Sequence, residues 1–156
     1  MKMMKMKRIL GIDLGDKRTG VAVTDLTGTL AGGLELVEAS SPTGCAEKII
    51  EICENLDINT AVLGYPLNMN GTRGEAALKS EKFKQILGKL AAEAGRGLEI
   101  VLFDERLSTS LAHVYMNESG ATGKKKKKRE NRRGKIDMLS ASIILQNYID
   151  SSKQQI

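Results

Sequence analysis

The chain has 156 residues, 41% of them apolar, which suits one compact domain with a real core, is too short for two, and excludes whole-chain disorder. Aromatic residues make up 3%, with no Trp, so base stacking on aromatic platforms is excluded as a main binding mode. The formal charge of +5 conceals a segregation: residues 124–135 (KKKKKRENRRGK) carry a local +8, residues 1–8 add four basic groups and no acid, and the remainder is acidic at −7. That distribution suits a polyanion approaching one face.

Residues 1–7 (MKMMKMK) read as a loose basic tail. Asp13 and Asp16 interrupt the apolar stretch that follows, so it does not make a signal-peptide core. Residues 8–15 (RILGIDLG) and 19–26 (TGVAVTDL) predict two strands joined by a turn at 16–18, and residues 30–39 predict a third after Gly28. The period then changes. Over 42–56, Cys45, Ile49, Ile52, Cys53 and Leu56 recur at helical spacing, with Glu47, Lys48, Glu51 and Glu54 outward. On such a helix Cys45 and Cys53 stand roughly 12 Å apart, too far for a disulfide. With His113 the sole histidine, a structural zinc site lacks its usual ligands; a reduced, cytosolic setting is expected.

Residues 61–64 (AVLG) predict a short buried strand and 65–73 (YPLNMNGTR) a loop. An amphipathic helix is predicted over 75–94, with Leu78, Phe83, Ile86, Leu87 and Leu90 on one side. Residues 98–103 (LEIVLF) predict another buried strand, 107–117 a helix, 120–134 a mobile basic loop, 136–149 a final helix and 151–156 a C-terminal tail. No run approaches the ~18 apolar residues of a membrane span. A meander followed by α-β-α-β-α-α predicts a single α/β domain over 8–150, with a mixed sheet and helices on both faces.

Acids interrupt this apolar pattern at informative places. Asp13 sits in a strand otherwise built for the core, on the same face as Gly11 and Gly15, which leave approach unobstructed. A buried carboxylate requires a hydrogen-bond partner, a cation or water. Asp104 and Glu105 directly follow a predicted strand, at the edge where α/β sheets place ligand sites. Asp137 opens the predicted last helix, with Ser140, Ala141 and Ile144 on its own face. Asp25, at the end of the second strand, is a weaker candidate. Most have a structural reading too: a hydrogen-bonded strand-end Asp for Asp13, and helix N-terminal caps for the Asp104–Glu105 pair and Asp137. Taken together, one acid in the first strand, a pair after a later strand and one at the final helix suit Mg²⁺ (or Mn²⁺), which prefers oxygen ligands and leaves positions for water and phosphate.

Four blocks, GIDLGDKRTGVAVTD (11–25), VLGYPLNMNGTRG (62–74), FDERLST (103–109) and KIDMLSASIILQNYID (135–150), resemble in order and spacing the YqgF (RuvX) family, Holliday-junction-resolvase-like proteins of the RNase H-like superfamily. The resemblance runs from about Arg8 to Asp150. It implies an RNase H-like fold with a five-stranded sheet whose first three strands are antiparallel. It also implies Asp13, Glu105 and Asp137 as catalytic carboxylates, with Asp104 beside them as a further metal ligand. The implied activity is metal-dependent endonuclease cleavage: maturation of the 5′ end of small-subunit ribosomal RNA, resolution of branched DNA, or both. One departure stands out. Related resolvases carry an acid at the end of the fourth strand, where this chain reads Gly64-Tyr65-Pro66, so Glu105 must substitute.

Contacts to nucleic acid are expected from Lys124, Lys125, Lys126, Lys127, Lys128, Arg129, Arg132, Arg133 and Lys135, tethered just before Asp137, and from Lys17, Arg18, Asn68, Arg73 and Arg106. Ordinary turn chemistry and solvated surface charge are the alternatives for the loop and hairpin residues. Symmetrical cutting of a junction would call for a homodimer; RNA trimming is served by a monomer. Two rival functions remain open. A non-catalytic nucleic-acid-binding factor on the same fold would keep the basic segment and not cut. An actin-like ATP-binding protein shares a similar first hairpin but needs two such domains, and no P-loop is present because Val21 stands where Lys is required.

Overall fold

The computed structural model describes residues 7–104 and 126–153, with the side chains of 7–104 and 135–152. One sheet runs in the order β3-β2-β1-β4-β5, where β1 is Ile9–Asp13, β2 Arg18–Thr24, β3 Ala31–Glu38, β4 Thr60–Tyr65 and β5 Glu99–Asp104. The first three strands pair antiparallel, while β4 runs parallel to β1 and β5 parallel to β4. The described helices are α1 (Pro42–Leu56), α2 (Glu75–Glu93) and α3 (Lys126–Lys153).

Alternation along the strands divides the core in two. Leu10, Ile12, Val21, Ala61 and Leu63 point to one side, against Ile49 and Cys53 of α1 and Phe83 and Leu87 of α2. Ala22 and Val62 point to the other, against Ala141, Ile144, Leu145 and Ile149 of α3. The sheet is therefore mixed and covered on both faces, as the order of predicted elements requires. On the α3 side, Phe103 of β5 meets Tyr148 edge to face, with ring centroids 6.1 Å apart.

Local chemistry sets the ends of α1. Ser41 Oγ accepts from the Gly44 amide at 3.1 Å and Pro42 occupies the first turn. Asp57, left-handed at φ 52°, turns its amide back to the Cys53 and Glu54 carbonyls. Both cysteines are buried free thiols, and burial pushes that of Cys53 up to about 11.

Two expectations are corrected. Leu78 is outward, 45% exposed. The buried side of α2 is Ala77, Ser80, Phe83, Leu87 and Ala91, because small Ala77 and Ser80 bring the helix close to β4, where Ser80 Oγ donates to the Gly64 carbonyl at 3.2 Å. The final helix starts at Lys126 rather than near Ile136: Lys, Arg and Glu are good helix formers, and their charge, which suggested a loop over 120–134, does not stop them extending a helix already anchored downstream. The helix expected over 107–117 lies outside the described residues. Among the described residues no helix is long and apolar enough to cross a membrane.

Candidate active site

Asp13 ends β1. Since Leu10 and Ile12 face α1 and α2, Gly11 and Asp13 face α3. The residue across from Asp13 in β2 is Gly20, and α3 lies directly upon it. A Cβ on Gly20 would be driven into the Asp137 carbonyl oxygen, 2.5 Å from the carbonyl carbon and 3.1 Å from the Met138 nitrogen. The same helix closes on Gly11, whose Cβ would stand 2.8 Å from Leu145 Cβ, and on Gly33, whose Cβ would stand 3.1 Å from Met138 Cβ. Three glycines, one on each of β1, β2 and β3, thus let α3 approach the sheet closely, and the contact at Gly20 brings the Asp137 backbone beside the end of β1. Both Asp13 and Asp137 are partly exposed. Asp137 is not in the first turn of its helix, which begins at Lys126; the cap reading of this residue therefore falls away.

Asp104 ends β5 opposite Tyr65. Ile100 and Leu102 pack with α1 and α2 while Phe103 packs with α3, so alternation puts Asp104 on the side opposite to Asp13. Glu105, Arg106, His113, Lys124 and Lys125 lie outside the described residues. So do the side chains of Lys126, Lys127, Lys128, Arg129, Arg132 and Arg133, whose backbone belongs to α3. Lys135 is exposed. Among the described residues no group of three or more His, Cys, Asp or Glu is disposed to hold a metal ion; the fold sets the backbones of Asp13 and Asp137 at the same end of the sheet, through their common neighbour Gly20.

Around this pair, Lys17 is exposed in the β1–β2 turn. Arg18 Nε is 3.6 Å from Glu38 Oε1. Lys79 Nζ donates to Asp16 Oδ1 at 2.8 Å, and the bond and charge hold the Asp16 carboxyl below its usual range and raise Lys79. In the loop after β4, Asn68 Nδ2 donates to Thr72 Oγ1 at 3.0 Å and Thr72 Oγ1 to Asn70 Oδ1 at 2.6 Å. Arg73 Nη1 donates to Glu81 Oε1 at 2.8 Å, and Glu81 raises the guanidinium pKa further. Asn68 and Arg73 are therefore engaged within the protein, and the loop is built by turn chemistry. Asp25 is likewise a turn residue: it accepts from Thr27 Oγ1 at 2.8 Å and from the Thr29 amide at 3.0 Å.

A cavity of 590 Å³ opens on the α1–α2 side, walled by Leu14, Lys17, Cys45, Lys79 and Phe83 and reaching the strand ends at Asp13 and Gly64. Two features escaped sequence reasoning. The Asp16–Lys79 link joins residues far apart in the chain and leaves no local pattern. Gly20 did leave one, since a glycine inside a strand often marks close backbone approach.

The family model described as "RuvX: Holliday junction resolvase" matches residues 7–151. A protein of Ruminiclostridium cellulolyticum named "Putative pre-16S rRNA nuclease" is 40% identical, over 92% of this chain and 94% of its own length. Among solved structures, the fowlpox virus resolvase in complex with Holliday junction DNA superposes with a TM-score of 0.57 at 11% identity, covering 93% of this chain and 98% of that one. T. thermophilus RuvC in complex with its Holliday junction substrate gives 0.53 at 15%, covering 95% and 96%. At such identities these two establish the shared fold, the RNase H-like architecture that the sequence blocks implied. The family match over nearly the whole chain and the 40% identical relative establish more: the chain belongs to the RuvX family of Holliday junction resolvases.

Proposed function

We propose that this protein is a metal-dependent endonuclease that hydrolyses phosphodiester bonds in structured nucleic acid in the cytoplasm, with precursor small-subunit ribosomal RNA its first substrate and branched DNA its second. The observation that supports this reading is the seating of the Asp137 backbone on Gly20, the strand residue paired with Asp13. The name borne by the relatives supports ribosomal RNA as the leading substrate.

Asp13, Asp137 and Glu105 are the residues we assign to hold Mg²⁺ or Mn²⁺. Glu105 is preferred to Asp104 because alternation in β5 sets Asp104 on the far side of the sheet from Asp13. Bound there, the ion would polarise the scissile phosphate and lower the pKa of the attacking water. Asp13 is fixed by a strand whose Leu10 and Ile12 are wholly buried behind it, so its backbone has little freedom. Asp137 is fixed by a helix anchored through Ala141, Ile144 and Leu145. The basic segment on the same helix supplies cations to neutralise the phosphate backbone without reading sequence. Cutting of two junction strands in concert would require two copies of this chain.

The test is cleavage of labelled precursor ribosomal RNA and four-way DNA junctions by the wild type, Asp13→Asn and Asp137→Asn, each with Mg²⁺, Mn²⁺ or EDTA. Metal-dependent cutting by the wild type should fall by roughly 10²–10³-fold or more in each variant, with substrate binding retained. Binding without cutting of either substrate by the wild type would instead identify a non-catalytic nucleic-acid-binding factor.

A further inference from the structure

We propose that Gly20 is a positioning residue of the metal centre, setting the separation between Asp13 and Asp137; this rests on the reading that those two carboxylates hold the ion. Gly20 has two relationships at once. In the β1–β2 ladder it is the residue paired with Asp13. From the adjacent layer, the Asp137 backbone lies where a Cβ of residue 20 would be. One position therefore touches the supports of both carboxylates, and the absence of a side chain there fixes how near they come.

The obstruction a side chain would create is not of the yielding kind. The atoms that meet a Cβ at Gly20 are the carbonyl oxygen and carbon of Asp137 and the nitrogen of Met138, all backbone. An alanine would force α3 to withdraw locally until these contacts relax to the ordinary range, 3.4 Å or more. That displacement exceeds the about 0.5 Å within which a functional constellation must be held. Two further glycines lie under the same helix. Gly33 meets the Met138 side chain at 3.1 Å, one residue from Asp137, so a methyl there asks for a shift of a few tenths of an ångström. Gly11, two residues before Asp13 in β1, meets Leu145 Cβ at 2.8 Å and the Ala141 carbonyl oxygen at 3.0 Å, so a methyl there disturbs the supports of both carboxylates. The remote control on this helix is Ile149, buried against the sheet about 18 Å along α3 from Asp137.

The experiment is Mn²⁺ titration of the intact protein by calorimetry, with the metal-induced rise in thermal midpoint as a second readout. It compares the wild type with Gly20→Ala, Gly33→Ala and Ile149→Ala. Gly20→Ala should bind Mn²⁺ about 10–100-fold more weakly, the range seen when the supports of metal ligands are disturbed. Gly33→Ala should show a smaller loss. Ile149→Ala, though lower in thermal midpoint, should keep the wild-type metal affinity, as expected for a site so distant. Adding Asp137→Glu to Gly20→Ala lengthens the reach by one bond, about 1.5 Å, and should recover affinity, whereas Asp137→Glu alone should lose it. If Gly20→Ala does not fold, the contrast between Gly33→Ala and Ile149→Ala decides. Equal metal affinity in wild type and Gly20→Ala, or equal loss in Gly33→Ala and Ile149→Ala, overturns the proposal. A wild type that binds no Mn²⁺ overturns the metal reading itself, and Gly20's role with it.

Discussion

Lys79 Nζ lies 2.8 Å from Asp16 Oδ1, tying the first turns of α2 to the β1–β2 turn just beyond Asp13. Both side chains are largely exposed, 61% and 80%, so solvent screens the pair and its contribution to stability is small. Because the link lowers the Asp16 pKa, the unfolded chain takes up this proton first, at its ordinary value near 3.8. The contribution is thus present above that pH and disappears as pH falls through the lower folded value. Asp16→Asn should lower the thermal midpoint slightly at pH 7 and not at all once both states are protonated. A deficit that persists in acid would mean that Asp16 acts through something other than its charge.

The thiol of Cys53 offers a test at the alkaline end. Folded, it holds its proton up to about 11, against an ordinary 9.0. Between these values the unfolded chain has released the proton and the folded chain has not, so stability is intact below about 9 and declines as pH rises. In Cys53→Ala the decline in unfolding free energy between these two pH values should be shallower. Alkylation by iodoacetamide at pH 8 should be slow in native protein and fast in urea; rapid native alkylation would contradict the burial.

Phe83 and Leu78 sit on one helix with opposite fates, 1% and 45% exposed. Phe83→Ala should cost about 3–5 kcal/mol in denaturant unfolding through the cavity it leaves. Leu78→Ala should stay within about 0.5 kcal/mol. Similar losses for both would return Leu78 to the core side.

Replacing Arg132, Arg133 and Lys135 together by Gln should weaken nucleic-acid binding uniformly across sequences. The slope of log K against log salt should flatten by about 0.7–0.9 for each phosphate that the protein no longer neutralises. Weakening confined to particular sequences would point to base readout instead.

The sequence was most readable where local chemistry acts alone. A helical period of Cys45, Ile49, Ile52, Cys53 and Leu56 predicts α1, and the helix observed, Pro42–Leu56, is the one predicted. Strands were found in place, with ends off by a residue or more, since hydrogen-bond pairing and not composition decides where a strand stops. Leu78 and the start of α3 were misread for opposite reasons. Hydrophobicity suggested burial for a leucine that packing turns outward, and charge suggested a loop for residues with good helix propensity.

For the site, Asp13 was legible as an acid within a core strand, and Asp137 through its family block. Their meeting was not legible, because it depends on β1–β2 register and on the Gly20 contact with α3. Asp25 looked like a candidate from its strand-end position, but its hydrogen bonds to Thr27 and Thr29 belong to the turn. The assignment of Glu105, which lies outside the described residues, rests on the family blocks.

The two sides of the sheet are fastened differently. Phe83, Leu87 and Ile49 fill the space under α1 and α2 with long side chains, whereas α3 lies along β1, β2 and β3 with main chain almost against main chain at Gly20. A contact of that kind has little side-chain slack to absorb movement, so α3 should open together with the strands beneath it. Amides around Ile144 and Leu145 would then exchange with deuterium about as slowly as those of Leu10 and Ile12. Asp137 and Asp13 would part company only when the protein itself came apart.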